Sequence, residues 1–260
     1  MSEYSTRMNG LSGSATREIL KLTALPDMIS FAGGLPATQC LPVKEIREIT
    51  ADILSGAGAT GALQYGLSEG VPAFREQLKD FLSDVGIKVS STDNLFVVSG
   101  GQQGIDLMCK VFLDKGDVVL VENPTYLAFL QIAATYEARV VGVESDKQGL
   151  VLSDLEEKIK KHKPKFIYVV PTFSNPTGRS YTAENRRGIA YLADKYGVMV
   201  LEDDPYSRLR FTGDFVPALK SYDISDKVVY VTSFSKILSP GLRVAVMAGG
   251  KEVIRKLVIA

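Results

Sequence analysis

The residues best able to do chemistry lie in the stretch SFSKILSPGLR, where Lys236 follows Ser233 and Ser235 and precedes Arg243, directly after the apolar run VVYVT. A lysine at the end of a strand can be partly desolvated and surrounded by positive charge. Both effects lower its pKa and free the amine to form a Schiff base. Taken alone, a loop lysine is usually a solvated surface charge, and its neighbours change that reading. Ser233, Ser235 and Arg243 supply two hydroxyls and a planar guanidinium, a set suited to a phosphate monoester. The plainer alternative for those three is turn chemistry with a surface ion pair.

Three further stretches carry the same kind of signal. SGGQQG, residues 99 to 104, holds Gly101 and Gln102, where small residues allow close backbone approach and a following helix presents unpaired N–H groups to an anion. A glycine-rich turn alone is weak evidence, because tight turns need glycine anyway. In PTFSNPTGRS, Asn175 places an amide in an exposed turn before Pro176. In LEDDPYSRL, Asp203, Asp204 and Tyr206 end a strand; an isolated acidic run of this kind is more often a metal ligand set or a helix cap, but a metal site needs more convergent carboxylates than the sequence offers.

To bring such stretches together the chain must place them on one edge of a sheet. Seven apolar runs predict strands at 95–98, 118–121, 139–143, 166–170, 198–202, 228–232 and 244–248. They are continuous rather than alternating, which predicts strands covered on both faces in a mostly parallel α/β sheet. Ile105, Met108, Cys109 and Phe112 recur at helical spacing after Gly101, with Gly116 as a C-terminal stop. Ile189, Leu192, Ala193 and Tyr196 do the same between Thr182 and Gly197, and Ser153 with Glu156 reads as a capping box for a third helix. The link through SFSKILSPGLR is too rich in Ser, Gly and Pro for a packed crossover helix, so the last strand is expected to run antiparallel. All four chemical stretches then fall at C-terminal ends of strands, where open α/β sheets bind ligands.

Residues 1 to 90 differ: the loop FAGGLPATQCLP, a helix over Val43–Leu54, the connection ALQYG and a helix over Val71–Val85 suggest an arm and part of a smaller domain, leaving 91–260 as the large domain. The chain stops at IRKLVIA, in what looks like the opening of a helix, which suggests a fragment of a longer protein. Thirty basic and thirty acidic side chains balance, against the basic footprint of a nucleic-acid binder. No run approaches the roughly 18 apolar residues of a membrane helix, and the polar start MSEYSTRMNG lacks a signal-peptide core. Cys40 and Cys109 lack metal-ligand spacing and fit a reducing cytoplasm.

NPTG, EDDPY and SFSKxLSPGLR, in that order, resemble the fold type I pyridoxal 5'-phosphate (PLP) dependent aminotransferases, in the subgroup with 2-aminoadipate and kynurenine aminotransferases and MocR-type effector domains. The resemblance implies that Lys236 carries PLP as an internal aldimine and then moves the proton from the substrate's Cα, and that Asp203 keeps the pyridine nitrogen protonated. It implies that Asn175 and Tyr206 bond the phenolic oxygen, that Tyr126 of NPTY stacks on the ring, and that Gly101, Gln102, Ser233, Ser235 and Arg243 hold the phosphate. Tyr65 of LQYG would reach the phosphate of a neighbouring subunit in a homodimer, and Gly34 of AGGLP would line the substrate side. The reaction implied is transfer of an amine from an L-amino acid (2-aminoadipate, aromatic or branched-chain) to a 2-oxo acid such as 2-oxoglutarate. The arginine that holds the substrate α-carboxylate belongs to a C-terminal small domain absent from these residues. Three alternatives stand beside this: a MocR-like regulator, which needs a winged-helix domain that the roughly 30 residues before AGGLP leave little room for; a PLP-dependent lyase; and a truncated PLP-binding module without turnover.

Overall fold

The computed structural model describes residues 4, 5, 7, 8, 29 and 33–260. The arm expected at the N-terminus lies largely outside them. The seven apolar runs form one sheet: β1 (Leu95–Val98), β2 (Val118–Glu122), β3 (Arg139–Val143), β4 (Phe166–Val169), β5 (Met199–Asp203), β6 (Val228–Ser233) and β7 (Ala245–Ala248), in the spatial order β1-β7-β6-β5-β4-β2-β3. The pairings β2–β3, β2–β4, β4–β5 and β5–β6 are parallel, and β7 is antiparallel to both β1 and β6. Between β6 and β7 there is only a short 3-10 turn, Pro240–Leu242, so no helix carries the chain back across the sheet and β7 must return antiparallel.

Helices cover both faces, which explains the lack of polar alternation. α4 (Gly101–Phe112), α5 (Leu127–Thr135) and α8 (Lys251–Ile259) pack on one face over Phe96, Val121, Tyr168, Leu201, Val231 and Met247. α6 (Leu152–His162) and α7 (Ala183–Tyr196) pack on the other over Leu120, Ile167, Val200 and Val228. Of the earlier helices, α1 (Val43–Ser55) and α2 (Ala59–Leu63) bury no residue, whereas α3 (Pro72–Ser83) packs Leu78 and Leu82 beside Leu95, Tyr230 and Val246.

Sequence signals at helix ends hold where a side chain has no better partner. Thr182 caps α7 by accepting from the Asn185 N–H, and Gly197 closes it in the left-handed region. Two expectations are corrected. Ser153 is not a cap: α6 starts at Leu152, with Val151 at the N-cap and no side-chain capping bond. Its partner in the expected box, Glu156, is drawn away to Lys195 and Tyr196, and it is Asp154 that accepts, from the Glu144 N–H. Likewise α4 ends at Phe112 with Leu113 extended behind it, and Gly116 serves the turn into β2 with φ +86°.

Candidate active site

Strand register decides which motifs meet. Ala245, the first residue of β7, is paired with Ser233 at the end of β6 on one side and with Val98 at the end of β1 on the other. The SGGQQG loop, Ser233 and the segment just before β7 are therefore side by side on one sheet edge. On the neighbouring strand Asp203 is in register with Val231, two residues before Ser233. The result is a cavity of about 210 Å³ lined by Gly101, Gln102, Tyr126, Asn175, Asp203 and Tyr206, and also by Ser233, Ser235, Lys236 and Arg243.

One group of these residues is built for an anion. α4 begins at Gly101 with no side-chain cap and no acidic residue in its first turn, so its positive end is uncompensated. Arg243 lies against it: its Nη2 donates to the Ser99 carbonyl at 3.1 Å, and its Nη1 to the Pro240 carbonyl at 3.3 Å. Gly100 has φ 88° and ψ 158°, and a Cβ there would lie 2.1 Å from Arg243 Nη2. Only glycine admits both that backbone and that guanidinium. Ser233 Oγ accepts from the Ser235 N–H at 3.1 Å, which folds the serines into one turn.

A second group surrounds a carboxylate. Asp203 is 7% exposed, and its Oδ2 accepts from the Tyr168 hydroxyl at 2.8 Å. Burial pushes its pKa up to about 7; the Tyr168 bond offsets part of this, while the charges of Asp204 and Glu122 push the same way. Burial also raises Tyr126 and Tyr206, with the Asp203 charge adding to both shifts and the Asn175 amide opposing that of Tyr206. No cation enters this balance for Asp203, a deficit that a positively charged ring nitrogen would remove.

Lys236 stands beside both groups. It is partly buried, its Nζ donates to the Gly34 carbonyl at 2.7 Å, and desolvation alone lowers its pKa. The expected positive neighbours contribute nothing to that shift. Gly34 thus meets the site through its carbonyl, whereas Tyr65 does not line the cavity and is fully exposed. The three acids of LEDD separate by strand alternation. Glu202, on the opposite face, accepts from the Leu219 and Lys220 N–H groups, and Asp204 accepts from the Tyr230 hydroxyl and the Ser207 N–H. Among the described residues no three His, Cys, Asp or Glu side chains could hold a metal ion.

A slot with an anion cradle, an uncompensated buried carboxylate and a desolvated amine fits PLP by the chemistry of its donors: phosphate, ring nitrogen and aldehyde each find a partner. The sequence pattern of the family described as aminotransferase class I and II matches residues 26–260. The chain belongs to that family. It is 40% identical to aromatic-amino-acid aminotransferase 1 of Thermococcus litoralis over 99% of its own length and 63% of that protein's. It is 37% identical to 2-aminoadipate transaminase of Thermus thermophilus, over 96% and 62% of the two chains. The crystal structure of Pyrococcus horikoshii kynurenine aminotransferase, in complex with PMP, KYN as substrates and KYA as products, superposes with a TM-score of 0.91 at 40% identity, covering 99% of this chain and 64% of the other. The chain therefore spans less than two thirds of the length of these relatives.

The motifs did not point to the apolar part of the lining, Ile105, Val170, Pro205 and Pro240. Ile105 and Val170 stand in the sequence only as helix and strand residues, and the two prolines only within EDDPY and SFSKILSPGLR, with no role of their own. The supports behind the site were also missed. Glu122 is buried and accepts from the Val170 N–H, the Ser174 hydroxyl and the Tyr181 hydroxyl, which ties the end of β2 to the loop that carries Asn175. Fully buried Arg186 donates to the carbonyls of Pro171, Tyr181 and Pro217 and to Thr172 Oγ1. Glu122, beside the NPTY turn, carried a faint signal as a charge ending an apolar run.

Proposed function

We propose that these residues form the PLP-binding part of an aminotransferase that moves the amine of an L-amino acid to a 2-oxo acid such as 2-oxoglutarate. The observation that carries this reading is the convergence, in one cavity of a class I and II aminotransferase chain, of Lys236, the cation-deficient Asp203 and the Arg243–Gly101 cradle. PLP, when bound, supplies an electron sink for the pair left on the substrate's Cα. Lys236 holds the cofactor and later takes the proton from Cα, a task suited to an amine whose pKa is lowered by burial. Asp203 in its charged form keeps the ring nitrogen protonated. Asn175 and Tyr206 bond the phenolic oxygen, Tyr126 forms the wall against the ring, and Gly101, Gln102, Ser233, Ser235 and Arg243 hold the phosphate.

In this reading residues 1–90 are an arm and part of a smaller domain, and 91–260 the cofactor-binding domain. Tyr65, fully exposed, is free to reach the phosphate of a neighbouring subunit, which supports a homodimer with shared sites. Gly34 lies on the substrate side, next to Lys236. The donor is of the 2-aminoadipate, aromatic or branched-chain type, and the enzyme works in the cytoplasm; no helix among the described residues is long and apolar enough to cross a membrane.

The test is the visible absorption spectrum of the purified native protein with PLP, before and after L-2-aminoadipate, L-glutamate and an aromatic amino acid. A cofactor band that is lost on adding a donor, with the matching 2-oxo acid formed, supports transamination. Lys236→Ala should hold no such band. A band that no donor alters would leave a binding module without turnover, and no band in wild type would refute the assignment of Lys236.

A further inference from the structure

Among the groups outside the cavity, Tyr168 has the most direct hold on the site. It lies on β4, is fully buried, and does not line the cavity. Its ring stacks on Phe129 of α5 with centroids 4.0 Å apart and planes 8° from parallel. Its hydroxyl donates to Asp203 Oδ2 at 2.8 Å. A stacked ring between helix and sheet cannot swing, so the hydroxyl is a fixed donor rather than an adaptable one.

We propose that Tyr168 is a positioning residue for the amine-transfer reaction: by engaging Oδ2 it fixes the rotation of the Asp203 carboxylate, leaves the other oxygen to face the cavity, and favours the charged form. This rests on the reading of Asp203 given above. A buried carboxylate with no fixed donor would take up a proton more readily and turn about its terminal torsion, which is broad and weakly restrained. Tyr168 counters both tendencies from outside the cavity, so it acts on the rate without touching substrate.

Tyr168→Phe tests this in the native, full-length protein, since the ring and its stack on Phe129 remain. Tyr230→Phe is the control: Tyr230 is equally buried and donates to Asp204 at 2.8 Å, one residue along the chain. For Tyr168→Phe, kcat should fall about tenfold with KM for the amino donor unchanged within about twofold, the scale of one lost hydrogen bond to a charged group. In cofactor-free protein, the infrared band of the protonated Asp203 carboxyl, assigned by its loss in Asp203→Asn, should persist to a pH about one unit higher. Tyr230→Phe should leave kcat within about twofold and can move the Asp203 titration only downward, because it makes Asp204, whose charge pushes Asp203 up, easier to protonate. Equal falls in both variants, or an unmoved Asp203 titration, would overturn the proposal while leaving the aminotransferase reading intact. A wild-type protein that holds no cofactor would refute that reading, and this inference with it.

Discussion

Gly100→Ala probes the anion cradle with a single added methyl group. Two costs are separable. Alanine at φ 88° and ψ 158° occupies a region that is essentially glycine-only and costs roughly 1–3 kcal/mol of stability. In addition, the new Cβ would sit 2.1 Å from Nη2 and 2.7 Å from Cζ of Arg243, so the guanidinium must leave its place over the start of α4 and give up the Ser99 carbonyl. A displaced guanidinium cannot bond a phosphate there. Losing one charge-assisted hydrogen bond of roughly 1.5–3 kcal/mol weakens PLP binding roughly tenfold to a hundredfold. Gly116→Ala is the matched control: its φ is +86°, nothing lies within 4 Å of the added methyl group, and it is in the turn before β2 rather than in the cavity. Spectrophotometric titration of PLP into both cofactor-free variants, alongside thermal melts, separates strain from site. Both should melt lower than wild type, and only Gly100→Ala should bind PLP more weakly. If Gly100→Ala binds PLP within about threefold of wild type, Arg243 is not a phosphate ligand and the cradle is misassigned.

Asp203→Asn should bind PLP but transfer the amine far more slowly, as single-turnover loss of the cofactor band with an amino donor would show. The same variant carries a stability prediction for cofactor-free protein. Asp203 titrates near 3.8 unfolded and about 7 folded, so the folded state binds the extra proton between those values and stability falls as pH rises through that window. Urea titrations should therefore find the stability advantage of Asp203→Asn over wild type growing as pH rises from about 4 to about 7; an advantage that shrinks over that range would contradict the burial argument. Arg186→Met removes four hydrogen bonds from a fully buried guanidinium and takes that donor from the Tyr181 and Pro217 carbonyls and Thr172, while Pro171 keeps the Tyr181 N–H; the loss, at least about 3 kcal/mol, would register in chemical denaturation.

What the sequence made legible, and what it hid, follows from the distance over which each feature is determined. The strands were readable because continuous apolar runs need cover on both faces, and α7 because Thr182 and Gly197 act on their own helix. Antiparallel β7 was readable from the missing crossover. Ser153 misled because its capping role competes with partners that are distant in sequence, and Lys195 and Tyr196, some forty residues on, take Glu156. Tyr168 was invisible as a functional group for the same reason, since FIYVV shows only an aromatic in a buried strand and its partner is 35 residues away.

The face of the sheet that receives the chemistry is set by alternation along β5. Leu201 belongs to the core beneath α4 and α5, together with Tyr168 and Val231, and Asp203, two residues on, shares their face. Glu202 points to the other face, where Val200 and Val228 pack under α7 and Leu219 and Lys220 donate their N–H groups to it. A one-residue slip of β5 would exchange these roles, placing the carboxylate held by backbone N–H groups in the cavity and burying Asp203 among Leu219 and Tyr222. The parallel register of Tyr168 with Leu201 and of Asp203 with Val231 prevents that slip, so the hydrophobic pattern that builds the sheet also selects which of three consecutive acids faces the site.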